Sequence, residues 1–117
     1  MNLKSNRALP PNAVIGIVGG GQLGRMSAMA AASLGFRTHI LAKKSEDPGV
    51  QVVNSATIGR FDDPEALKQF AAAVDVVTFE FENISATGLD LLSELKPVHP
   101  SGSILRISQD REQEKTF

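Results

Sequence analysis

The chain has 117 residues with a formal net charge of −1, and 42% of its residues are apolar. This length and composition predict one compact domain with a modest core. The small net charge provides no basic field for nucleic acid, and no apolar run approaches the ~18 residues that a membrane span requires. The sequence has no cysteine, which excludes disulfides, thiolate metal sites and cysteine nucleophiles. From the small net charge and the lack of a membrane span, we expect a soluble cytoplasmic protein.

The two ends of the chain differ in composition from the middle. The start, MNLKSNRALPPN, combines charges and prolines without an apolar segment, so it is not a secretory signal. We expect residues 1–12 to form a flexible tail and residues 13–101 to fold as one domain. Residues 102–117 are charged and favour a helix, but no residue there ends one. They are expected to begin a linker into a further domain of a longer protein.

The first predicted elements are a buried strand and a helix. The apolar, β-branched run Val14–Val18 is typical of a strand covered on both faces. Residues 22–34 are rich in alanine, methionine and leucine and predict a helix that Gly35 ends. Met26 and Met29 are expected to lie in the core.

Strands and helices continue to alternate along the rest of the chain. The predicted elements are a strand over 36–41, a loop over 43–53, a strand over 55–59, a helix over 62–73, a strand over 74–81, a helix over 84–95 and an edge strand over 96–101. The helix over 84–95 is amphipathic, with core contacts expected at Ile84, Leu91, Leu92 and Leu95. Because parallel strands need helical crossovers, this alternation predicts an α/β fold: a doubly wound parallel sheet with helices on both faces.

A glycine-rich loop lies between the first strand and the first helix. Its sequence GGGQLG, residues 19–24, fits the pattern G-x-G-x-x-G in the context that the motif requires. Glycine allows a tight turn and close approach of the backbone to an anion. Free amides and the helix dipole then favour phosphate, each contributing about 1 kcal/mol. We interpret the loop as a phosphate site. The alternative is that its glycines, Gly24 above all, only let the helix pack on the sheet.

A dinucleotide site makes one further demand. An acidic residue should follow the second strand, about twenty residues on, to bind the ribose hydroxyls. This chain has Ala42, Lys43 and Lys44 there, whereas Glu46 and Asp47 come later in the loop. Paired lysines suit a 2′-phosphate, so an NADP-binding domain of an oxidoreductase is the alternative function, while NAD is disfavoured. We prefer the interpretation of the two lysines as a solvated turn.

The stretch TFEFENI, residues 78–84, places two carboxylates at the end of an inner strand. On an extended chain Glu80 and Glu82 share one face, and Phe79 and Phe81 the other. Ligands of open α/β sheets bind at the carboxyl ends of the strands. The two carboxylates would accept hydrogen bonds from hydroxyls or an amine there. The alternative is that they stabilise the start of the next helix.

The remaining chemistry-bearing residues indicate no catalytic centre. His39 and His99 are the only histidines, and neither has a partner at metal-ligand spacing. No pair of a nucleophile and a base is recognisable. We predict no catalytic residue and no metal ligand in this chain. A non-catalytic nucleotide-sensing or interaction module is therefore a third possible function.

Four stretches together carry a resemblance: GIVGGGQLGRM, FDDPEAL, DVVTFEFENI and QDREQEKTF. They are similar, in the same order, to the amino-terminal domain of the N5-carboxyaminoimidazole ribonucleotide synthetases, which are ATP-grasp ligases of purine biosynthesis. The resemblance implies a Rossmann-like pre-ATP-grasp domain. It also implies that the full-length enzyme uses ATP and bicarbonate to carboxylate the amine of 5-aminoimidazole ribonucleotide, giving ADP and phosphate.

The resemblance also implies roles for individual residues. Gly21, Gln22 and Leu23 would receive the ribonucleotide, and Glu82 would bind its ribose or aminoimidazole part. Arg111 matches an arginine that reaches the phosphates of ATP. Most of the ATP and Mg²⁺ site would lie in later domains, so this chain alone is expected to be inactive. The full-length protein is expected to be a homodimer.

The chain departs from the family at one turn. Members commonly carry an aspartate after the second strand, in an LDP-like turn, where this sequence has LAKKSEDPG. The role of that aspartate is either absent from this chain or filled by Glu46 or Asp47.

Overall fold

The structure is a computed structural model that describes residues 10, 12–80 and 83–100. Its elements, in chain order, are β1 (Val14–Val18), α1 (Gln22–Ser33), β2 (Arg37–Ala42), a 3₁₀ helix (Pro48–Val52), β3 (Ser55–Ile58), α2 (Pro64–Ala72), β4 (Val76–Phe79), α3 (Ala86–Leu95) and β5 (Val98–Pro100). None of the helices in these ranges has the length and apolar character needed to cross a bilayer.

The five strands form one parallel sheet in the order β3-β2-β1-β4-β5. The chain runs outward from β1 to β3, then returns to β4 on the other side of β1. Separate apolar clusters cover the two faces: α2 and α3 pack on one, and α1 with the 3₁₀ helix on the other. The predicted α/β class and doubly wound parallel sheet are confirmed.

α1 packs on the sheet through its smallest residues. Gly24, Ala28 and Ala31 are buried, whereas Met26 is 62% and Met29 is 53% exposed. The prediction that the two methionines lie in the core is therefore wrong. Small residues let the helix axis approach the sheet and the 3₁₀ helix closely, and this turns the longer side chains to the opposite face.

α2 begins with an aspartate cap and a proline. Asp63 precedes the helix, and its Oδ1 accepts a hydrogen bond of 3.1 Å from the amide of Glu65. Pro64 occupies the first helical position, where its missing N–H costs nothing. The helix therefore begins at Pro64, two residues after the predicted start.

α3 begins after Ser85 and contacts the core through fewer leucines than expected. Ile84 and Leu92 are buried, and Leu91 is half-buried against the same cluster. Leu95 is 43% exposed, so its assignment to the core is wrong. It is the last residue of the helix and does not belong to the apolar cluster.

The other differences are small. β2 begins and ends one residue later than predicted, and the segment expected as a loop over 43–53 contains the 3₁₀ helix. β4 is shorter than predicted, because it begins at Val76 and not at residue 74, and ends at Phe79. The predicted last residue, 81, lies outside the described residues.

His39 on β2 is buried between two hydroxyl groups of the neighbouring edge strand. Its Nδ1 lies 2.6 Å from Ser55 Oγ, and its Nε2 lies 2.7 Å from Thr57 Oγ1. A neutral imidazole donates at one nitrogen and accepts at the other, so these two hydroxyls satisfy it. In this structure His39 thus joins β2 to β3 through its side chain.

Protonation of His39 should make the fold weaker at acidic pH. Burial lowers the pKa of His39 below its ordinary value of 6.5, so the unfolded chain binds a proton that the folded chain does not. The free energy of unfolding is expected to be highest above pH 6.5 and to fall as the pH drops through 6.5 toward the folded pKa. Urea titrations between pH 7.5 and 5 measure this slope.

A His39→Gln variant is the control for that slope. It lacks the titrating group, so its free energy of unfolding should depend less on pH over the same range, whatever its stability at pH 7.5. Equal slopes for the two chains would show that His39 does not carry the effect.

Candidate functional site

The glycine loop lies at the carboxyl edge of the sheet, where the strand order reverses between β1 and β4. The loops that follow β1, β2, β3 and β4 meet there around a cleft of about 330 Å³, lined by residues 19–24 together with Lys43, Asp47, Phe61 and Asn83. Such a reversal leaves a crevice between neighbouring loops, which is where open α/β sheets bind their ligands. The fold therefore places the predicted loop at the expected edge.

Three glycines of the loop are required by packing alone. Gly19 has a φ of +118°, and a Cβ there would lie 2.5 Å from Nδ2 of Asn83. A Cβ on Gly20 would lie 2.7 Å from Cβ of Ala42, and one on Gly24 would lie 1.9 Å from the carbonyl oxygen of Gly19. The packing interpretation thus accounts for these three positions without a ligand.

Gly21 differs from the other three. It is exposed, and a Cβ built on it would meet no atom within 4 Å. It also precedes α1 without any side-chain cap, so the first amides of that helix have no helical acceptor. Gln22 and Leu23 follow in this first turn, and both are exposed at the cleft. The structure thus brings the three predicted loop residues together on the open side of the loop.

The predicted carboxylates are placed only in part. Glu80 is half-buried and lines a small cavity of about 10 Å³ next to Leu23 and Gly24. Glu82 and Arg111 lie outside the described residues, so their predicted roles stay predictions.

Asn83 is a site residue that the sequence reasoning did not select. Its side-chain Nδ2 donates to the carbonyl oxygen of Val18 over 3.3 Å, and its backbone N–H donates to the carbonyl oxygen of Glu80 over 2.9 Å. The first bond holds its side chain against the end of β1, where Asn83 lines the cleft. The sequence signal that could have identified it is its position: Asn83 carries a side-chain amide and directly follows the acidic pair at the end of a predicted inner strand.

Asp47 reaches the glycine loop although it lies five residues beyond β2. Its Cβ lies 2.9 Å from the position that a Cβ on Gly20 would take, and its Oδ2 accepts from the amide of Lys44 over 3.3 Å. The 3₁₀ helix fastens this turn to the loop, because the amide of Gly49 donates to the carbonyl oxygen of Gly20 over 2.6 Å. Glu46 is exposed and lines neither of the clefts at this edge.

Lys43 follows β2 directly and lies at the junction of two clefts. It lines the glycine-loop cleft and a neighbouring cleft of about 470 Å³, whose other lining residues include Phe61, Asn83 and Ser85. Lys43 is exposed, as expected of a turn residue, but its Nζ lies 5.1 Å from the centroid of the Phe61 ring. Lys44 is exposed too and lines neither cleft, which fits the predicted solvated turn.

An exposed ion pair forms the outer wall of the second cleft. Arg60 Nε and a second guanidinium nitrogen donate to the two carboxylate oxygens of Asp62, each over 3.1 Å. The hydrogen bonds and the charge of Arg60 lower the pKa of Asp62. Both side chains are largely exposed, so the pair adds little stability.

Comparison with known proteins shows the family of this chain. Residues 12–109 match the family described as the ribonucleotide synthetase preATP-grasp domain. The N5-carboxyaminoimidazole ribonucleotide synthase of Brucella melitensis is 50% identical over 110 residues, which are 94% of this chain and 30% of that protein.

Solved structures give the same result. The N5-carboxyaminoimidazole synthetase from Staphylococcus aureus complexed with ADP superposes with a TM-score of 0.74 at 40% identity, over 79% of this chain and 25% of that chain. The N5-carboxyaminoimidazole ribonucleotide synthetase from Thermus thermophilus superposes with a TM-score of 0.67 at 42% identity, over 88% of this chain and 28% of that chain. The chain thus spans less than a third of each relative, and it belongs to the ribonucleotide synthetase pre-ATP-grasp domain family.

Proposed function

We propose that this chain is the ribonucleotide-binding, amino-terminal part of an ATP-dependent ligase. The complete enzyme would carboxylate the amine of 5-aminoimidazole ribonucleotide with bicarbonate, releasing ADP and phosphate, in purine biosynthesis. The observation that carries the proposal is the 50% identity to the Brucella synthase over 94% of the chain. In this proposal residues 13–101 form the binding domain, residues 102–117 begin the linker to the next domain, and residues 1–12 are a tail.

The open side of the glycine loop supports a role in binding. Gly21 leaves the approach to the first turn of α1 free, so the amides of Gln22 and Leu23 are available to an anionic group. In the proposal, Glu82 accepts hydrogen bonds from the ribose or the aminoimidazole group. Donors at one end and an acceptor at the other suit a ligand that has a phosphate and hydroxyls.

The contribution of this chain to the reaction would be positioning. A loop whose glycines are packed against their neighbours holds its amides in place before the ligand arrives, which lowers the entropic cost of orienting the amine for reaction. Exposed apolar residues on α1, such as Met26 and Met29, support the view that further parts of a longer protein cover this domain.

ATP supplies the phosphoryl group in the proposed reaction, and Mg²⁺ accompanies it. The chain spans less than a third of its relatives, so we propose that both bind mainly to domains outside this chain. Arg111 is proposed to reach the ATP phosphates. A homodimeric full-length enzyme in the cytoplasm is part of the same proposal.

The NADP-binding alternative has less support. The family assignment is to ribonucleotide synthetases, and only one of the two lysines that suggested a 2′-phosphate lines the cleft. An oxidoreductase domain would need another explanation for the TFEFENI segment.

Amide NMR titrations of the chain with 5-aminoimidazole ribonucleotide and, in parallel, with NADP test the proposal. A partial site should bind weakly, with a Kd near ~1 mM or about −4 kcal/mol. We expect saturable shifts at residues 19–24 and around residue 83 with the ribonucleotide alone. Saturable shifts with NADP and none with the ribonucleotide would contradict the proposal.

The isolated chain is also expected to show no ATP turnover. Most contacts to ATP are proposed to lie on later domains, so a phosphate-release assay with ATP, Mg²⁺, bicarbonate and the ribonucleotide should stay at the buffer baseline. Turnover that scales with the concentration of this chain would refute that division of the site.

A further inference from the structure

Thr78 on β4 is a buried polar residue on the face of the sheet that α1 covers. Its side chain is 3% exposed. Its neighbours Val77 and Phe79 belong to the apolar cluster beneath α2 and α3, whereas Val76 belongs to the cluster on the opposite face. Because side chains alternate along a strand, Thr78 shares the face of Val76. Its hydroxyl group is therefore buried on the α1 side of β4.

The hydroxyl of Thr78 forms no hydrogen bond with the part of the chain that the structure describes. Thr38 and His39, which are also buried, differ from it. Thr38 Oγ1 donates to Oδ1 of Asn54 over 3.3 Å, and both ring nitrogens of His39 contact hydroxyl groups. A hydroxyl group donates one hydrogen bond and accepts up to two, and burying it unpaired lowers the stability of a fold. A partner that is not part of the protein chain would remove this cost.

A cavity of about 10 Å³ lies beside Thr78, between the ends of β1 and β4 and the start of α1. The polar side chains that line it are those of Thr78, Ser27, Glu80 and Asn83. This volume is about that of one water-sized sphere, and polar walls are what hold water inside a protein. The cavity is too small for a larger ligand, which distinguishes it from the glycine-loop cleft of about 330 Å³.

We infer that this cavity is a binding site for one internal water molecule, which accepts a hydrogen bond from Oγ1 of Thr78. Internal waters form about three hydrogen bonds with buried polar groups. Ser27 on α1 and Glu80 after β4 line the same cavity and provide further polar partners. The water thus joins the glycine-loop helix to the inner strand β4, and it does so whether or not the chain binds a ribonucleotide.

Thr78→Val tests the inference, because valine has the shape of threonine without the hydroxyl. With the water bound, the substitution removes one of its hydrogen bonds, so the ratio of unfolded to folded chain should rise about fivefold in urea titrations at pH 7.5. Without the water, the substitution would remove an unpaired buried hydroxyl, and the variant would be more stable than the unaltered chain. Thr38→Val is the matched control. The hydroxyl of Thr38 has a protein partner, so this variant should lose stability to a similar extent.

Magnetic relaxation dispersion of water oxygen-17 counts the long-lived internal waters of each chain in solution. The unaltered chain should hold one more such water than the Thr78→Val chain. A crystal structure of the unaltered chain should show this water within about 3.0 Å of Thr78 Oγ1, and that result stands even if the variant fails to fold. Three results would each overturn the inference: equal numbers of long-lived waters in the two chains, a more stable Thr78→Val chain, or no water at Thr78 in the crystal.

Discussion

Replacing Phe70 with alanine is expected to lower the free energy of unfolding by about 3–5 kcal/mol. Phe70 on α2 is 0% exposed and lies at the centre of the core between α2, α3 and the sheet. Its ring tip occupies the space that Gly16 leaves on β1, because a Cβ there would lie 2.7 Å from Cζ of Phe70. Domains of this size are stable by about 5–15 kcal/mol, so the variant should lose a large share of its stability and remain folded at pH 7.5.

The same substitution should change the titration of His39. The two rings lie 5.8 Å apart between centroids, so Phe70 is part of the apolar surroundings that lower the pKa of His39. In Phe70→Ala, the pKa of His39 is expected to rise toward 6.5, and the loss of stability at acidic pH should shrink. NMR titration of the imidazole resonances measures the first effect, and urea unfolding at pH 7.5 and 5 measures the second.

Leu95→Ala provides the control for Phe70→Ala. Leu95 is 43% exposed, so its truncation should change the free energy of unfolding by no more than about 0.5 kcal/mol. A large loss for Leu95→Ala, or an unchanged unfolding midpoint for Phe70→Ala, would contradict the described core.

The sequence predicted the fold well because its strands and crossovers carry strong local signals. The run Val14–Val18 became the central strand at the predicted bounds, and α2 begins within two residues of its predicted start. The sequence pattern did not identify the buried face of α1, because apolar residues occupy both faces of that helix. Composition cannot then tell which face packs, and the sheet took the face of Gly24, Ala28 and Ala31.

The candidate site could be predicted only where it is contiguous in sequence. The glycine loop is one stretch that follows a strand, and its position at the sheet edge follows from the fold. Asp47 and Asn83 reach the loop through tertiary contacts, one by way of the 3₁₀ helix and the other across the ends of β1 and β4. No local pattern encodes those contacts, and the cation–π contact of Lys43 likewise depends on the fold that brings Phe61 beside it.

Gly24→Ala and Gly21→Ala should separate the structural part of the glycine loop from the part proposed to bind a ligand. A Cβ on Gly24 would lie 1.9 Å from the carbonyl oxygen of Gly19, and a backbone atom cannot swing aside as a side chain does. Relieving this clash requires the loop and α1 to move apart, so we expect a loss of about 2–3 kcal/mol in the free energy of unfolding. The gain of about 1 kcal/mol from alanine's helix propensity does not offset it.

Gly21→Ala should have the opposite profile. The backbone of Gly21 is extended, with φ −77° and ψ −161°, and nothing lies within 4 Å of the added methyl group, so the stability should change by less than about 0.5 kcal/mol. The methyl group would, however, enter the cleft in front of the first-turn amides of α1 and keep an anionic group away from them. We expect binding of 5-aminoimidazole ribonucleotide to weaken at least about tenfold, the cost of one lost charge-assisted hydrogen bond. Chemical denaturation and calorimetric titration of both variants measure the two effects. Unchanged affinity in Gly21→Ala would show that the ligand does not bind at the glycine loop. Full stability in Gly24→Ala would contradict the described packing of the loop.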